Sequence, residues 1–191
     1  MTRSHQFTLN TSRLILRPLR FSDASRIQEL FPQWEVVKYL AAVVPWPYPD
    51  DGAQQFLQKV LADMESGDRY GWAIALREDA DDQLIGVIDL FPNDPTDNRG
   101  FWIGAAYQQH GYMTEAVAAV NDFAFEALAL THLVLNNAEP NVASHRLKEK
   151  SGATILTIED DVPFIGGRFR NIKWILTADH WNSHRERFSQ I

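Results

Sequence analysis

The spacing of apolar residues along the chain alternates between a two-residue repeat and a helical repeat. The stretch RLILRPL, Arg13–Leu19, alternates apolar and polar positions and predicts an early strand. The following stretch, SDASRIQELF, has apolar residues at helical spacing behind Ser22, which we expect to cap a short helix. Three prolines in VVPWPYPDDG interrupt regular structure before a second helix, predicted over Ala53–Met64.

The rest of the chain predicts further strands and two more helices. YGWAIALR, QLIGVIDLF and RGFWIGAAY are rich in aromatic and β-branched residues and are typical of an antiparallel meander. Thr114–Leu130 returns to helical spacing, HLVLNNA predicts a strand, and NVASHRLKEKSG predicts a short helix that ends at Gly152. ATILTIE and RNIKWILT complete the strands, and residues 178–191 are expected to form a surface tail. This order predicts an α+β fold with a mixed sheet covered by helices.

Composition narrows the classes of protein to which the chain belongs. Its 191 residues, 45% hydrophobic, favour one large domain over residues 1–191. A net charge of −7 argues against nucleic acid as a partner. We expect a soluble cytoplasmic protein without a membrane partner, because no apolar stretch approaches the ~20 residues of a membrane helix.

Two side-chain types exclude or weaken particular kinds of chemistry. The absence of cysteine excludes disulfides, thiolate metal sites and a cysteine nucleophile. His180 and His184 have a spacing that can bind zinc, but no third ligand is near in sequence, so we expect surface residues and no metal site.

The stretch YQQHGYMTEAV indicates where a phosphate could bind. Gly111 precedes the helix predicted from Thr114, and the Gly-Lys-Ser/Thr ending of a nucleotide triphosphate loop is missing. A helix N-terminus carries partial positive charge and unpaired N–H groups. We therefore predict a phosphate cradle built from backbone N–H groups.

The pattern Gln108-x-x-Gly111-x-Met113 resembles the acyl-coenzyme A loop of the GNAT N-acetyltransferase superfamily. Together with RLILRPLRFSDA, FWIGAAYQQHGYMTEA and NVASHRLKEKSGA, it is similar to the branch that contains the ribosomal-protein alanine N-acetyltransferases. The resemblance covers roughly Ser12 to Thr177. It implies a single domain with its core at about 12–177, a mostly antiparallel central sheet with helices on both faces, and acetyl-coenzyme A as cofactor.

The resemblance also implies which residues contact coenzyme A. Backbone N–H groups from about Gln109 to Thr114 would hold the pyrophosphate, and Phe101–Gly104 would pair with the pantetheine arm. The N–H of Ile103 would polarise the thioester carbonyl. Met113 departs from the family's Gly or Ala, so its side chain would either narrow the cradle or point into the core. The full set of implied cofactor-binding residues is Phe101, Trp102, Ile103, Gly104, Gln108, Gln109, His110, Gly111, Tyr112, Met113, Thr114, Asn141, Ser144 and Lys148.

Asn141 and Ser144 match the family's Asn-x-x-Ser at the start of a helix. The resemblance places Asn141 near the pantetheine amides and Ser144 near the sulfur, whereas the residues alone equally suit a helix cap and an ordinary first-turn serine. Many members carry a tyrosine as proton donor where this chain has Lys148. Either Ser144 or solvent would then protonate the leaving sulfur.

Residues for the acceptor amine are less clearly marked. Asp89, the acid within LIGVIDLF, is the candidate base, and the alternative is that it faces solvent. Glu159, Asp160 and Asp161 form either an acceptor-binding acid or a solvated turn. The aromatic residues expected either to line the acceptor site or to cover the core edge are Trp34, Tyr39, Trp46 and Tyr48.

The function implied by the resemblance is transfer of an acetyl group from acetyl-coenzyme A to a primary amine by direct attack in a ternary complex. The acceptor is a protein N-terminal α-amino group or a small-molecule amine. The alternative is a catalytically weak domain that binds or senses acyl-coenzyme A. A homodimer is left open.

Overall fold

The structure is a computed structural model that describes residues 7–188. Five antiparallel strands form the larger sheet in the order β1-β2-β3-β4-β5. These strands are β1 (Leu9–Asn10), β2 (Leu14–Pro18), β3 (Tyr70–Leu76), β4 (Leu84–Leu90) and β5 (Arg99–Ile103). The strand predicted over Arg13–Leu19 and the predicted meander are confirmed, and β1 adds a short outer strand.

A smaller sheet of three strands has the order β6-β8-β7. Its strands are β6 (His132–Ala138), β7 (Thr154–Phe164) and β8 (Gly167–Thr177). β7 and β8 form a long hairpin that extends past both predicted strands. Glu159, Asp160 and Asp161 therefore lie within β7 and not in a solvated turn.

The two sheets meet at one end of β5 and β6. The backbone N–H of Asn98, just before β5, donates to the carbonyl of Val134 at 2.7 Å, and its side-chain Oδ1 accepts from the N–H of Val134 at 2.6 Å. Past this contact β5 and β6 belong to different sheets, so the strands separate. The edge of β5 that faces away from β4 borders the resulting gap.

Helices cover both faces of the larger sheet. The helices are α1 (Ala24–Leu30), α2 (Trp34–Val37), α3 (Gly52–Ser66), α4 (Tyr112–Asp122), α5 (Val142–Lys150) and α6 (Ala178–Phe188). Along β3, Trp72 and Ile74 pack with residues of α4 and α6, whereas Ala73 packs with residues of α1 and α3. This alternation is the two-residue repeat of a strand buried on both sides.

Three details differ from the sequence-based expectations. Ser22 lies inside a 3-10 turn ahead of α1, and Asp23 instead accepts the N–H of Arg20 at 3.0 Å. The proline-rich break is preceded by the unpredicted helix α2. The helix predicted from Thr114 begins at Tyr112 and continues after Asp122 as a π-helical segment, Phe123–Ala127.

The end of the chain is also more ordered than a surface tail. Trp181 and Phe188 of α6 are 1% exposed and belong to the core, because their seven-residue spacing places them on one helix face. His180 is exposed, and His184 Nδ1 lies 2.8 Å from the carbonyl of His180. Within residues 7–188, no group of three or more candidate ligands could hold a metal ion. Over the same range, no helix is long and apolar enough to cross a membrane.

Candidate active site

A cavity of about 610 Å³ lies where β5 and β6 separate. Its walls come from β5 and β6, from α5, from the loop after α2 and from the β7–β8 hairpin. It is lined by Phe101, Asn141, Ser144 and Lys148, among other residues. The structure therefore brings together residues that belong to separate motifs of the sequence.

The loop that joins β5 to α4 has the geometry of an anion site. Gly111 has a φ of 77° and Gln109 a φ of 64°, so both residues adopt the left-handed backbone conformation. Glycine adopts this conformation without steric strain. The first hydrogen bond within α4 runs from the N–H of Glu115 to the carbonyl of Gly111. The N–H groups of Tyr112–Thr114 precede this bond and remain outside the helical ladder.

Side chains around the loop hold it in place. Arg13 Nη1 donates to the carbonyl of His110 at 3.0 Å, and Arg13 Nε donates to Glu115 Oε2 at 2.7 Å. The guanidinium also lies 4.8 Å from the ring centre of Tyr112. Met113 is half-buried and packs against the core, in agreement with the second of the two placements expected for it; its effect on coenzyme A binding stays a prediction.

The free edge of β5 offers backbone groups to the gap. The N–H of Gly104 donates to Ile85 of β4 at 2.9 Å, and Trp102 stands opposite Val87. Because backbone direction alternates along a strand, the N–H groups of Phe101 and Ile103 point away from β4. Gln108 Nε2 donates to the carbonyl of Ile103 at 3.4 Å, which ties the loop to this edge.

The first turn of α5 carries the two polar residues of the Asn-x-x-Ser pattern. Asn141 Oδ1 accepts the N–H of Ser144 at 3.2 Å, so Asn141 does cap the helix. Both residues also line the cavity, and Ser144 is 6% exposed. Capping and cofactor contact are compatible, since the cap uses only the side-chain oxygen and leaves the amide donors of Asn141.

Lys148 lies one turn farther along α5 and is buried. Its Nζ donates to Ser144 Oγ at 2.7 Å and lies 5.8 Å from the ring centre of Phe101 on β5. Burial, the largest cause, and the nearby Arg99 together lower the pKa of Lys148 to about 7, while Asp97 opposes this. Burial also raises the pKa of Asp97.

Asp89 is buried and paired. Arg69 Nε donates to Asp89 Oδ1 at 2.8 Å, and Arg69 Nη2 lies 2.6 Å from Asp89 Oδ2. Burial raises the pKa of Asp89, and the Arg69 guanidinium opposes that rise. The alternative that Asp89 faces solvent is wrong, because the residue is 6% exposed. Its role as a base stays a prediction, and both of its oxygens are already engaged by Arg69.

The four aromatic residues expected near the acceptor do not gather in one place. Tyr39 lines the cavity and contacts the ring of Phe169, with 6.1 Å between centroids. Trp34 and Trp46 form an exposed pair with centroids 6.0 Å apart. Tyr48 packs against the core, and burial raises its pKa to about 12. Of the four, only Tyr39 is among the residues that line this cavity.

Several residues of the site escaped the sequence-based reasoning. Arg13, Arg69, Asp97, Asn98 and Arg99 each form a contact with a residue distant in sequence or lie in the buried charge cluster. Arg13 occurs within a strand pattern and Asp97 within a turn pattern, so neither pattern indicated a site. Arg99 has its counter-charge, Asp97, two residues away, but the burial of Arg99 and its proximity to Lys148 are visible only in the fold.

Comparison with known proteins gives the family. Residues 13–154 match the model described as "Acetyltransferase (GNAT) domain". The chain belongs to the GNAT acetyltransferase family. Its mixed architecture, with antiparallel strands and covering helices, is the fold of that family, as the resemblance of the loop predicted. The protein is an acetyltransferase.

Individual relatives are distant in sequence and close in structure. The uncharacterized N-acetyltransferase YnaD of Bacillus subtilis is 26% identical over 146 residues, which is 75% of this chain and 81% of the relative. Among solved structures, Mycobacterium smegmatis RimJ in complex with CoA-disulfide superimposes with a TM-score of 0.80 at 16% identity, over 98% of this chain and 95% of that one. Ribosomal-protein-S5-alanine acetyltransferase from Vibrio fischeri gives a TM-score of 0.74 at 16% identity, over 92% and 98% of the two chains.

Proposed function

We propose that the protein transfers the acetyl group of acetyl-coenzyme A to the α-amino group of a protein N-terminus. The amine attacks the thioester carbonyl directly, in a ternary complex. The observation that carries this proposal is the gap between β5 and β6. The free edge of β5 and the side chains of Asn141 and Ser144 border this gap, and the loop at the start of α4 follows directly from β5.

The loop fits the pyrophosphate of coenzyme A. The N–H groups of Tyr112–Thr114 offer unpaired donors at the positive end of α4. Gly111 places the backbone where a phosphate can approach closely, and a Cβ at this position would lie 3.4 Å from Arg13 Nη2. Arg13 holds the carbonyl of His110 and keeps the loop in this conformation.

The pantetheine arm fits the free edge of β5. Phe101 presents a backbone donor and acceptor on this edge, and Ile103 presents its N–H, as an edge strand does to an added strand. The amide donors of Asn141 face the same cavity from α5. These groups would place the thioester between β5 and α5.

When bound, acetyl-coenzyme A supplies an activated acyl group and a thiol that can leave. The N–H of Ile103 would polarise the carbonyl oxygen, a contribution for which the loss of one donor typically costs about 3 kcal/mol. Ser144 Oγ would hold a proton beside the sulfur. The chain contains no cysteine, so acyl transfer through an enzyme thiol is excluded.

Two observations favour an α-amino acceptor. Such a group has a pKa near ~8, so a useful fraction is neutral at pH 7 without a strong base. Of the three acids within residues 7–188 that line the cavity, Asp89 and Glu159 are paired with Arg69 and Lys173, and Asp97 balances the charges of Arg99 and Lys148, so none stands free to act as a base. The named neighbours RimJ and ribosomal-protein-S5-alanine acetyltransferase also support a protein acceptor.

The test is a transfer assay with matched acceptors. Purified protein and acetyl-coenzyme A are incubated with short peptides that begin with Ala, Ser or Met, with the same peptides blocked at the N-terminus, and with small polyamines. Thiol release and peptide mass are recorded. Mass gain on the free peptides alone is the expected result. Transfer to the polyamines alone would assign a small-molecule acceptor, and coenzyme A binding without any transfer would favour a binding or sensing domain.

A further inference from the structure

Ser144 Oγ is positioned as a proton relay because it accepts a hydrogen bond from a buried lysine. Lys148 Nζ lies 2.7 Å from this oxygen, and Lys148 is 6% exposed. Because the ammonium is the donor in this bond, the Ser144 hydroxyl hydrogen is free to point into the cavity that both residues line. A hydroxyl that receives one proton while giving another needs this arrangement.

The charges around Lys148 explain why its proton is weakly held. Arg99, buried at the start of β5, donates through Nη2 to Asn121 Oδ1 on α4 and keeps its own charge at pH 7, because its pKa is lowered only to about 10. Asp97 is the anion close to both cations. Arg99 and Lys148 therefore share a single counter-charge in a buried cluster, and lysine is the one of the two that can release its proton near neutral pH.

The other charged residues of the cavity are paired among themselves. Arg69 lies 2.6 Å from Asp89, and Lys173 Nζ lies 2.8 Å from Glu159 Oε1. They line the same cavity as Lys148 as two neutral pairs, one formed by Arg69, which directly precedes β3, with Asp89 of β4 and the other between β7 and β8. The excess positive charge thus rests on the cluster of Asp97, Arg99 and Lys148.

We propose that Lys148 is the proton source for the leaving thiol, acting through the hydroxyl of Ser144. This inference rests on the acetyl transfer proposed above. When the tetrahedral intermediate collapses, the carbon–sulfur bond breaks and its electron pair goes to sulfur. Ser144 Oγ gives its proton to the sulfur and takes one from the Lys148 ammonium. The acceptor nitrogen releases its proton to water, and the neutral lysine takes up one proton from water, so the net change is one proton lost by nitrogen and one gained by sulfur.

The direction of this transfer is favourable. A lysine with a pKa of about 7 is a stronger acid than an alkyl thiol with a pKa near ~8.5. The proton therefore moves downhill to the departing thiolate. Above pH 7 the fraction of protonated Lys148 falls, while the fraction of neutral α-amino acceptor, with a pKa near ~8, still rises. The rate of the chemical step should therefore pass through a maximum between these two values and fall at higher pH.

The test compares single-turnover acetyl transfer in the wild type, Lys148→Arg, Lys148→Met and Lys150→Arg between pH 5.5 and 9. Lys150 is exposed on the same helix and serves as the matched control. Arginine keeps the positive charge but holds its proton throughout this range. We expect both Lys148 variants to be about 100-fold slower at pH 7, within the range of general acid catalysis, and to lose the fall at high pH, so that their rates rise with the ionisation of the acceptor alone. Lys150→Arg should match the wild type.

A second measurement is independent of turnover. Side-chain NMR titration of the lysines, with Lys148 assigned by its absence in Lys148→Arg, should show one midpoint near pH 7. Lys148→Met should fold, because it removes one of two buried cations that share the single anion Asp97 and leaves Arg99 and Asp97 to balance each other's charge. Circular dichroism checks this.

The outcomes separate the two proposals. An active wild type together with Lys148 variants of unchanged rate and pH profile overturns the role of Lys148 alone. A Lys148 midpoint at the ordinary lysine value of ~10.4 overturns it as well. A wild type that transfers acetyl to no amine overturns the proposed function, and this inference falls with it.

Discussion

Arg69 and Asp89 form a buried ion pair with two contacts, one from Nε to Oδ1 at 2.8 Å and one from Nη2 to Oδ2 at 2.6 Å. The guanidinium also packs between two rings, 5.2 Å from the centre of Phe56 and 4.9 Å from that of Phe91. The pair joins the segment between α3 and β3 to the end of β4, at the wall of the cavity. The pair therefore allows two charged side chains to be buried, because each neutralises the charge of the other.

Removing the carboxylate of this pair should destabilise the protein strongly. Asp89→Asn leaves the Arg69 guanidinium buried without a counter-charge, a change that typically costs about 3–5 kcal/mol. Urea unfolding at pH 7 measures this. Asp161→Asn is the matched control, because Asp161 pairs with Arg168 at the surface and its φ of 58° is tolerated by asparagine. Equal stability of the two variants would contradict the importance assigned to the buried pair.

A branched side chain at Gly111 should weaken coenzyme A binding. Gly111→Val forces a β-branched residue to adopt φ of 77°, at a cost of about 1–2 kcal/mol, so the cradle should distort and the affinity should fall about tenfold or more. Calorimetry with coenzyme A measures this change.

Gly67→Val separates strain from the loss of the cradle. Gly67 has a similar φ of 87° at the end of α3 and no neighbouring atom within 4 Å of an added Cβ. This variant should lose stability and keep its affinity for coenzyme A. Unchanged affinity of Gly111→Val would refute the phosphate placement.

Loss of the Ser144 hydroxyl should lower turnover more than it lowers binding. In Ser144→Ala the leaving sulfur loses its adjacent proton donor, and we expect kcat to fall about tenfold or more with little change in coenzyme A affinity. Ser151→Ala removes another buried hydroxyl of this region, one that donates only to the carbonyl of Lys148 at 2.7 Å, and should keep its turnover. Parallel loss of turnover in both variants would indicate a purely structural effect.

Acidic pH should weaken the hydrogen bonds between Glu115 and residues 11–13. Desolvation acts to raise the pKa of Glu115, but hydrogen bonds from Thr11, Ser12 and Arg13 lower it overall. A depressed folded-state pKa contributes stability above the unfolded value of ~4.3, and this stability is lost as pH falls through the folded value. Glu115→Gln should therefore be less stable than the wild type at pH 7, and the difference should shrink toward pH 3.

The comparison of these two proteins uses urea unfolding at both pH values. Glu115 also accepts a hydrogen bond from Arg13, and Arg13 in turn donates to the carbonyl of His110 in the loop. Glu115→Gln should accordingly weaken coenzyme A binding at pH 7 as well. A stability difference that persists unchanged at pH 3 would contradict the assigned cause.

The fold was largely predictable because its strands and helices have strong local patterns. β3, β4 and β5 each carry a dense run of apolar residues, and α4 follows a glycine with clear helical spacing. Their boundaries depended on tertiary contacts. α6 escaped prediction because Trp181 and Phe188 are two apolar residues in an otherwise polar segment, and only the core explains their burial.

The site was predictable where it is local in sequence. The loop at Gly111 and the pair Asn141 and Ser144 are short motifs, and the structure brings Asn141 and Ser144 to one cavity. Contacts that join distant segments could not be predicted in this way. Arg13 donates to the carbonyl of His110, which is 97 residues away in sequence. Arg69, which precedes β3, pairs with Asp89 of β4, which is 20 residues away. The aromatic residues of positions 34–48 lie in different parts of the structure, because the pattern of hydrophobic residues does not show whether a given ring packs in the core, at the surface or at the cavity.

The most direct test of the account is calorimetric titration of the purified protein with acetyl-coenzyme A, with ATP and NAD as controls. We expect selective binding of acetyl-coenzyme A in the micromolar range, about −8 kcal/mol. Absence of heat with acetyl-coenzyme A, or equal binding of ATP, would contradict the assignment of the loop at Gly111 and of the gap beside β5.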